Sequence, residues 1–396
     1  MLSESDVRHN YEEALEELRE SAWDDLKGTT RRMLRCLLEQ SMDWECGMHV
    51  GVARYQRSPD RRALRNGFYE RTLDTSLGSL RLRVPRTRDG EFYPSSLSRY
   101  QRRHADLDEG LREMFIAGVS TRRVREVLEP LVGVEVSAST VSLVAKSLDQ
   151  EVAAFHARRL PTDIEYLFLD GVHISVKGAR KPVRKAVLVA YGVTGAGKRY
   201  LLDFRVADSE SEGAWESFLT HLCERGLGDA PVRLVVFDGC IGLRNAVKTC
   251  FPEAERQRCW VHKMRNVANW LPRAAEKREP VIAELRGVYQ APHLRGARQA
   301  FRRWAAKWRP VYPKAVACVD TDLDELLTVF AFPEPIRVNL RSTNLIERLF
   351  REVRRRSRPI GCFENKASCE RVLYAVFERA NRLWTTRPLP ALTHKS

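Results

Sequence analysis

The sequence predicts an α/β protein in which a mixed sheet, covered by helices and interrupted by a helical insertion, follows a mainly helical region. Three observations carry that prediction. Tyr166 to Leu169 is a short, wholly apolar run bounded by Glu165 and by Asp170-Gly171, too short for a helix and suited to a buried strand. Leu234 to Phe237 repeats the pattern, with Asp238-Gly239 in the equivalent place. Around them, strand-like stretches come in hairpin succession and then alternate with helical ones, the order of a mixed sheet with helices packed on it.

The elements follow in order. Residues 8–50 read as helices, with Leu15, Leu18, Met33, Leu34, Leu37 and Leu38 forming an approximate helical stripe among charges. Gln56 to Asn66 is loop-like and basic. Tyr69 to Leu73 and Leu80 to Val84 read as two strands around a turn at Asp74 to Gly78. Arg81, Arg83, Arg86 and Arg88 make that β element either a phosphate contact or a solvated basic face. Leu107 to Ala117 is a helical pattern ended by Gly118. Ser120 can cap a second helix, from Thr121 to about Leu128, which Pro130 stops. Ser137 can cap a third, from Ala138 to about Leu148. Short helices joined by tight turns fit a helix-turn-helix. Ser139, Thr140 and Ser142 would then face a groove, and Arg122, Arg123 and Arg125 the backbone; three-helix packing without a ligand is the plainer alternative.

Beyond Glu165, Ile174 to Lys177, Ala186 to Tyr191 and Tyr200 to Phe204 are strand-like. A helix over Glu212 to Arg225, a short helix over Gly242 to Cys250 and a strand over Glu255 to Trp260 complete the sheet region. Residues 262–330 are helical, and Trp270, Trp304 and Trp308 suggest an insertion with its own core. Two motifs are set aside. Gly192 to Lys198 matches most of a phosphate-binding P-loop, but Arg199 stands where Ser or Thr is required and a strand follows, so it reads as a hairpin turn. Asp320, Asp322 and Asp324 begin like a calcium loop, but Glu325 and Ala331 occupy its obligatory Gly and Glu positions, leaving a capped helix start.

Composition bounds the function. The chain has 396 residues, enough for two or three domains, and 67 Lys and Arg against 52 Asp and Glu, a formal net charge of +15. That excess favours a polyanion as partner, most simply nucleic acid. The polar, acid-rich start is unlike a signal peptide, and no apolar run approaches the ~18 residues of a membrane span. Nine scattered cysteines read as the reduced thiols of a cytoplasmic protein.

Arg341 to Arg358 is the other informative stretch. Ser342 or Thr343 can cap a helix on which Leu345, Ile346, Leu349, Phe350 and Val353 share one face. Glu347, Arg351 and Arg354 fall on the opposite one. Alone, Glu347 reads as an exposed acid paired with Arg351 at i+4.

Together with Arg65-Asn-Gly-Phe-Tyr-Glu-Arg71, Leu169-Asp-Gly171, Asp238-Gly239 with Gly242-Leu243, Arg258-Cys-Trp-Val-His-Lys-Met-Arg-Asn266 and Ser342-Thr-Asn-Leu-Ile-Glu-Arg348, the chain resembles the Mutator-type bacterial insertion-sequence transposases. These are of the DDE class with a ribonuclease-H-like core. The resemblance implies a catalytic and metal-binding triad of Asp170, Asp238 and Glu347. It implies cleavage at the element's ends and attack of the new 3′-hydroxyl on target DNA, with two Mg²⁺ ions, replaceable by Mn²⁺. DNA, in the form of element ends and target, is the expected partner, with a homo-oligomer of at least two chains, no membrane and a bacterial cytoplasmic, nucleoid-associated location. The long interval from Asp238 to Glu347 fits the family's helical insertion. Cys240 and Phe350 depart from residues common in the family, and neither is a ligand position. Cys259 and His262 form the family's Cys-x-x-His. A zinc site would need two more ligands, so a packing and hydrogen-bonding role beside the site is expected, without zinc. Arg351 and Arg354 would meet phosphates.

The resulting division is 1–55 helical, 56–100 a small basic β element, 101–160 helix-turn-helix, 161–262 first part of the core, 263–335 insertion, and 336–396 second part of the core. A catalytically silent repressor of its own element and a metal-dependent nuclease without strand transfer are the competing classes. A cleavage assay decides the first, and analysis for joined strands the second.

Overall fold

The structure, a computed structural model, describes residues 25–117 and 119–389. Leu15, Leu18 and Gly118 lie outside them. The chain forms two compact units, 1–146 and 147–396, so the division falls inside the 101–160 segment.

In the first unit, helix α1 (Leu26–Val50) packs on an antiparallel ribbon of β1 (Arg65–Thr75) and β2 (Gly78–Thr87). Met42, Leu73, Leu80, Leu82, Val84 and Leu97 form the shared core. The alternating burial of β2 follows the strand period, leaving Arg81, Arg83 and Arg86 outward. Helices α2 (Ala105–Ala117), α3 (Thr121–Val132) and α4 (Ala138–Lys146) form a second cluster around Leu107, Leu111, Val124, Leu128 and Val141. Ser120 caps α3, its hydroxyl accepting from the Arg123 amide at 3.3 Å, and Ser137 caps α4 through the Thr140 amide at 3.1 Å. Helix α3 does not stop before Pro130, as the sequence suggested, but runs to Val132. In a last turn, the carbonyl that Pro130 leaves without its bond belongs to exposed Glu126 and is open to water. Gly133 ends the helix instead, at φ 67°. Helix α4 likewise ends at Lys146, and a separate α5 (Leu148–Ala157) opens the second unit.

That unit is built on a five-stranded sheet: β3 (Ile164–Val176), β4 (Val183–Thr194), β5 (Arg199–Ala207), β6 (Leu234–Phe237) and β7 (Glu255–Arg258), in the order β5-β4-β3-β6-β7. The first three strands are antiparallel; β6 and β7 are parallel to β3. Helices α6 (Glu212–Glu224) and α7 (Ile241–Cys250) cover one face, Trp215, Phe218, Leu219 and Leu243 meeting Leu167, Leu169, Val235 and Phe237. The other face carries Phe204 against Phe377 and Tyr191 against Trp384, both from the terminal helix, here α15 (Lys366–Thr385). Burial on both faces is why β3 reads as an unbroken apolar run. The P-loop-like segment is the β4–β5 turn, closed by Thr194 N donating to the Lys198 carbonyl at 3.0 Å.

One strand differs from expectation. Asp170-Gly171 does not end β3, which continues to Val176 because β4 pairs along its whole length. Asp170 instead marks where the parallel pairing with β6 stops, at Leu169 opposite Phe237.

Between β7 and the Glu347 helix lie α8 (Trp260–Ala268), α9 (Ala275–Tyr289), α10 (Leu294–Trp308), α11 (Pro313–Asp320), α12 (Leu323–Leu327), a short 3-10 turn (Thr328–Ala331) and α13 (Glu334–Leu340). Of the three tryptophans, only Trp304 is buried, donating to the Val281 carbonyl at 2.9 Å; Trp308 stacks half-buried on Tyr312 and Trp270 is exposed. Asp322 is no side-chain cap. It is buried between Lys263 and Arg258, whose Nη1 lies 2.6 Å away.

Candidate active site

Three elements bring the acids together. Asp170 lies in β3 and is buried. Asp238 directly follows β6, the parallel neighbour of β3. Its Oδ1 accepts from the Cys240 amide at 2.9 Å, fixing the turn into α7. Gly239 in that turn has φ 96°, and the Arg258 guanidinium occupies the space a side chain would need, with Nε 2.0 Å from an ideal Cβ. Any L-residue there meets both left-handed strain and this clash.

Glu347 sits in the first turn of α14 (Asn344–Ile360). Both ends of that helix are tied to the sheet region. At its start, Trp260 N donates to the Arg341 carbonyl at 3.0 Å, and the Cys259 sulfur accepts from the Thr343 amide at 3.3 Å. Beyond its end, Phe363 pairs with the end of β3, its amide donating to the Ser175 carbonyl at 2.9 Å. Thr343 does not cap the helix with its side chain. Its hydroxyl reaches Cys259 and Asp170 instead, so a residue legible as a cap is a strut of the site. Ile346, Leu349, Phe350 and Val353 form the buried face, as expected. Phe350 is thus a core residue, and Cys240 donates its thiol to the Glu210 carbonyl at 3.6 Å.

The electrostatics are those of a repulsive acid group. Burial pushes the Asp170 carboxyl up to about 8, and the Asp238 charge adds to this. Hydrogen bonds from Thr343 and the Gly171 amide oppose it, and Glu347 raises it further. The other oxygen, Oδ2, is buried without a hydrogen-bond partner. Glu210, just before α6, is also raised, by burial and then by Asp238. Glu347 does not pair with Arg351. It accepts from Arg265 at 3.2 Å and lies 3.8 Å from His262 Nε2. Burial lowers the His262 pKa, favouring the neutral ring. Among the described residues, no group of three or more His, Cys, Asp or Glu side chains is arranged to hold a single metal ion.

These shifts carry a stability prediction. Unfolded, Asp170 titrates near 3.9; folded, near 8. Between those values the folded state holds the extra proton, so stability falls as pH rises from about 4 to about 8. In EDTA, urea midpoints of the protein should decline across that window, and Asp170→Asn should flatten the decline. Equal slopes for the two proteins would refute the burial of an uncompensated Asp170.

The other candidate residues are mostly at the surface. Ser139 and Ser142 are exposed on α4 and Thr140 is half-buried; Arg123 is exposed, and Arg125 pairs with Glu129 and Glu135. The Arg122 side chain lies outside the described residues. Arg351 and Arg354 are exposed on α14 and form no ion pair among the described residues. Sequence reasoning missed Arg265 and Glu210. Arg265 was accessible, since it follows His262 by one helical turn. Glu210 was not, because an acid beside a helix start ordinarily reads as an exposed first-turn charge.

Comparison with known proteins places the chain among the transposases. The family described as Transposase, Mutator family, matches residues 6–387. The transposase for insertion sequence element ISRM5 of Rhizobium meliloti is 37% identical over 354 residues, covering 89% of this chain and 88% of that one. The transposase for IS406 of Burkholderia multivorans is 37% identical, covering 89% and 90%. The transposase for IS256 in transposon Tn4001 of Staphylococcus aureus is 35% identical, covering 90% of each. The chain belongs to the Mutator family of transposases.

Proposed function

We propose that the protein is a DDE-type transposase that binds the ends of an insertion sequence, cleaves DNA there and joins the 3′-hydroxyl to target DNA. The observation that carries this reading is Asp170, buried on the central strand with an unpartnered oxygen, flanked by the charges of Asp238 and Glu347. The strand order β5-β4-β3-β6-β7, three antiparallel strands followed by two parallel ones, supports a ribonuclease-H-like core.

The donor set fits a hard divalent cation: carboxylate oxygens, one of them orphaned, in a pocket that raises the pKa of its central acid. Asp170, Asp238 and Glu347 would hold Mg²⁺ or Mn²⁺. Because Mg²⁺ keeps several waters and needs one or two carboxylates, three acids can serve two ions without forming one three-ligand cluster. The ions, when bound, supply activation of the attacking oxygen and stabilisation of the leaving one. The protein's own part is positional. Arg265 holds the Glu347 carboxylate, with the His262 ring beside it; Thr343 ties the helix start to Asp170; Cys259 receives the Thr343 amide in a packing role.

Within the first unit, α3 and α4 are read as a helix-turn-helix, with Ser139, Thr140 and Ser142 toward the bases and Arg123 toward phosphates, the family's DNA being the partner of a chain of this charge. A chain that acts on two element ends would work as a homo-oligomer, at least a dimer. No helix among the described residues is long and apolar enough to cross a membrane.

The test is direct: purified protein, DNA carrying a candidate element end, and Mg²⁺ against EDTA, with products analysed for joined strands. Cleavage without joining would reduce the reading to a nuclease, and binding without cleavage to a repressor. Arg351 supplies a separate test. Arg351→Ala should weaken DNA binding across sequences and reduce the salt slope by about one unit. An unchanged slope would take DNA off that face of α14.

A further inference from the structure

We propose that Glu210 is a fourth carboxylate of the cation site, reaching the bound ions directly or through their waters. This rests on the reading of Asp170, Asp238 and Glu347 as the metal-holding acids.

Glu210 lies in the connection between β5 and α6, yet its side chain is only 20% exposed. The reason is Gly171. Successive residues of a strand point to opposite faces, so Asp170 faces away from α6 and Gly171 faces toward it. With no side chain at 171, the sheet has a notch beside Asp170, and the Glu210 carboxylate fills it. A Cβ at 171 would stand 2.1 Å from Glu210 Oε1 and 2.7 Å from its carboxyl carbon. The acid therefore sits on the helix-covered side of β3, against the residue that follows Asp170, where the Asp238 charge acts on it.

The backbone around Glu210 is also held to the Asp238 turn. Its carbonyl accepts the Cys240 thiol at 3.6 Å, and Gly242 leaves room for the Glu212 amide, 2.7 Å from where its Cβ would be. Ser211 caps α6, and Glu212 is engaged by Asn245 at 2.7 Å. Glu210 alone of this acidic pair has no hydrogen bond to its carboxylate among the described residues; His173 Nδ1 stands 3.8 Å away, its pKa lowered by burial, and Arg184 is the cation whose charge acts on the carboxylate. An ordinary surface acid would point to water. This one is held against Gly171, within range of the Asp238 charge and one residue along β3 from Asp170, whose Oδ2 is buried and unpartnered. An arrangement that is repulsive by itself becomes favourable when a divalent cation is shared.

Mn²⁺ is the probe, titrated into the metal-free full-length protein without DNA and followed by the electron paramagnetic resonance of the free ion. The unsubstituted protein should bind Mn²⁺, and Asp170→Asn should lose that binding. Glu210→Gln should weaken it by about 10- to 100-fold, the range for removing a supporting group at a metal site. Gly171→Ala, which fills the notch and displaces the carboxylate, should weaken it in the same direction. His173→Gln should leave it unchanged, which separates a cation role from a Glu210–His173 pair. If the unsubstituted protein does not bind Mn²⁺, or Asp170→Asn binds equally well, the metal reading of the triad fails. If Asp170→Asn loses binding while Glu210→Gln and Gly171→Ala stay within about two-fold, Glu210 is not part of the site and the triad reading stands. Circular dichroism verifies folding, and Glu210→Asp replaces any variant that does not fold.

Discussion

Asp170→Asn, Asp238→Asn and Glu347→Gln should each remove cleavage and joining while DNA binding persists. The expected loss exceeds about 100-fold, because that is already the upper range for losing a group that merely supports a metal ligand. The amides keep the shape of each acid and remove its charge, so they separate chemistry from folding. Asp170→Asn offers a further check. Its carboxyl is held near 8 by burial and by Asp238, so the neutral amide relieves a repulsion in the metal-free protein. That variant should be inactive and, at pH 8 in EDTA, at least as stable as its parent. Near-normal joining by any one variant removes that residue from the site. An inactive Asp170→Asn that is also unfolded would leave its loss of activity as a folding defect.

A second large effect is expected at Asp322, far from the acids in sequence and close to them in consequence. Lys263 and Asp322 are 2% and 6% exposed, and Arg258 Nη1 joins them at 2.6 Å from Asp322. Lys263 also donates to the Cys318 carbonyl at 2.8 Å, which satisfies one proton but not its charge. Asp322→Ala leaves two buried cations facing each other, and removing one partner of a buried pair destabilises by about 3–5 kcal/mol. Urea denaturation should report that loss, and combining Asp322→Ala with Lys263→Met should recover much of it. A loss below about 1 kcal/mol would mean that water reaches the cluster. Activity should fall as well. Arg258 Nη2 donates to the Gly239 carbonyl at 3.0 Å, so the same guanidinium that Asp322 orients also braces the turn carrying Asp238.

Much of this architecture was legible in the sequence because it rests on local rules. The apolar runs ending in Asp-Gly marked two central strands; Ser120 and Ser137 marked helix starts with their own hydroxyls. The buried face of the Glu347 helix followed from helical period alone. The proposed triad of Asp170, Asp238 and Glu347 came from the order that the family resemblance supplied, which local pattern could not.

Where sequence reading went astray, a long-range partner overrode a local signal. Asp170-Gly171 looks like a strand end, but pairing with β4 carries β3 on to Val176. Thr343 and Asp322 look like caps, yet one braces Cys259 and Asp170 and the other neutralises buried cations. Glu347 looks like the partner of Arg351 one turn away, but Arg265 holds it, from a helix 82 residues earlier. The chain by itself determined which segments are strands and helices, since those depend on period, turns and caps within a few residues. Only the tertiary structure decided which charges meet. A carboxylate's partner is set by distance and by exclusion of water, and neither is a property of neighbours in sequence.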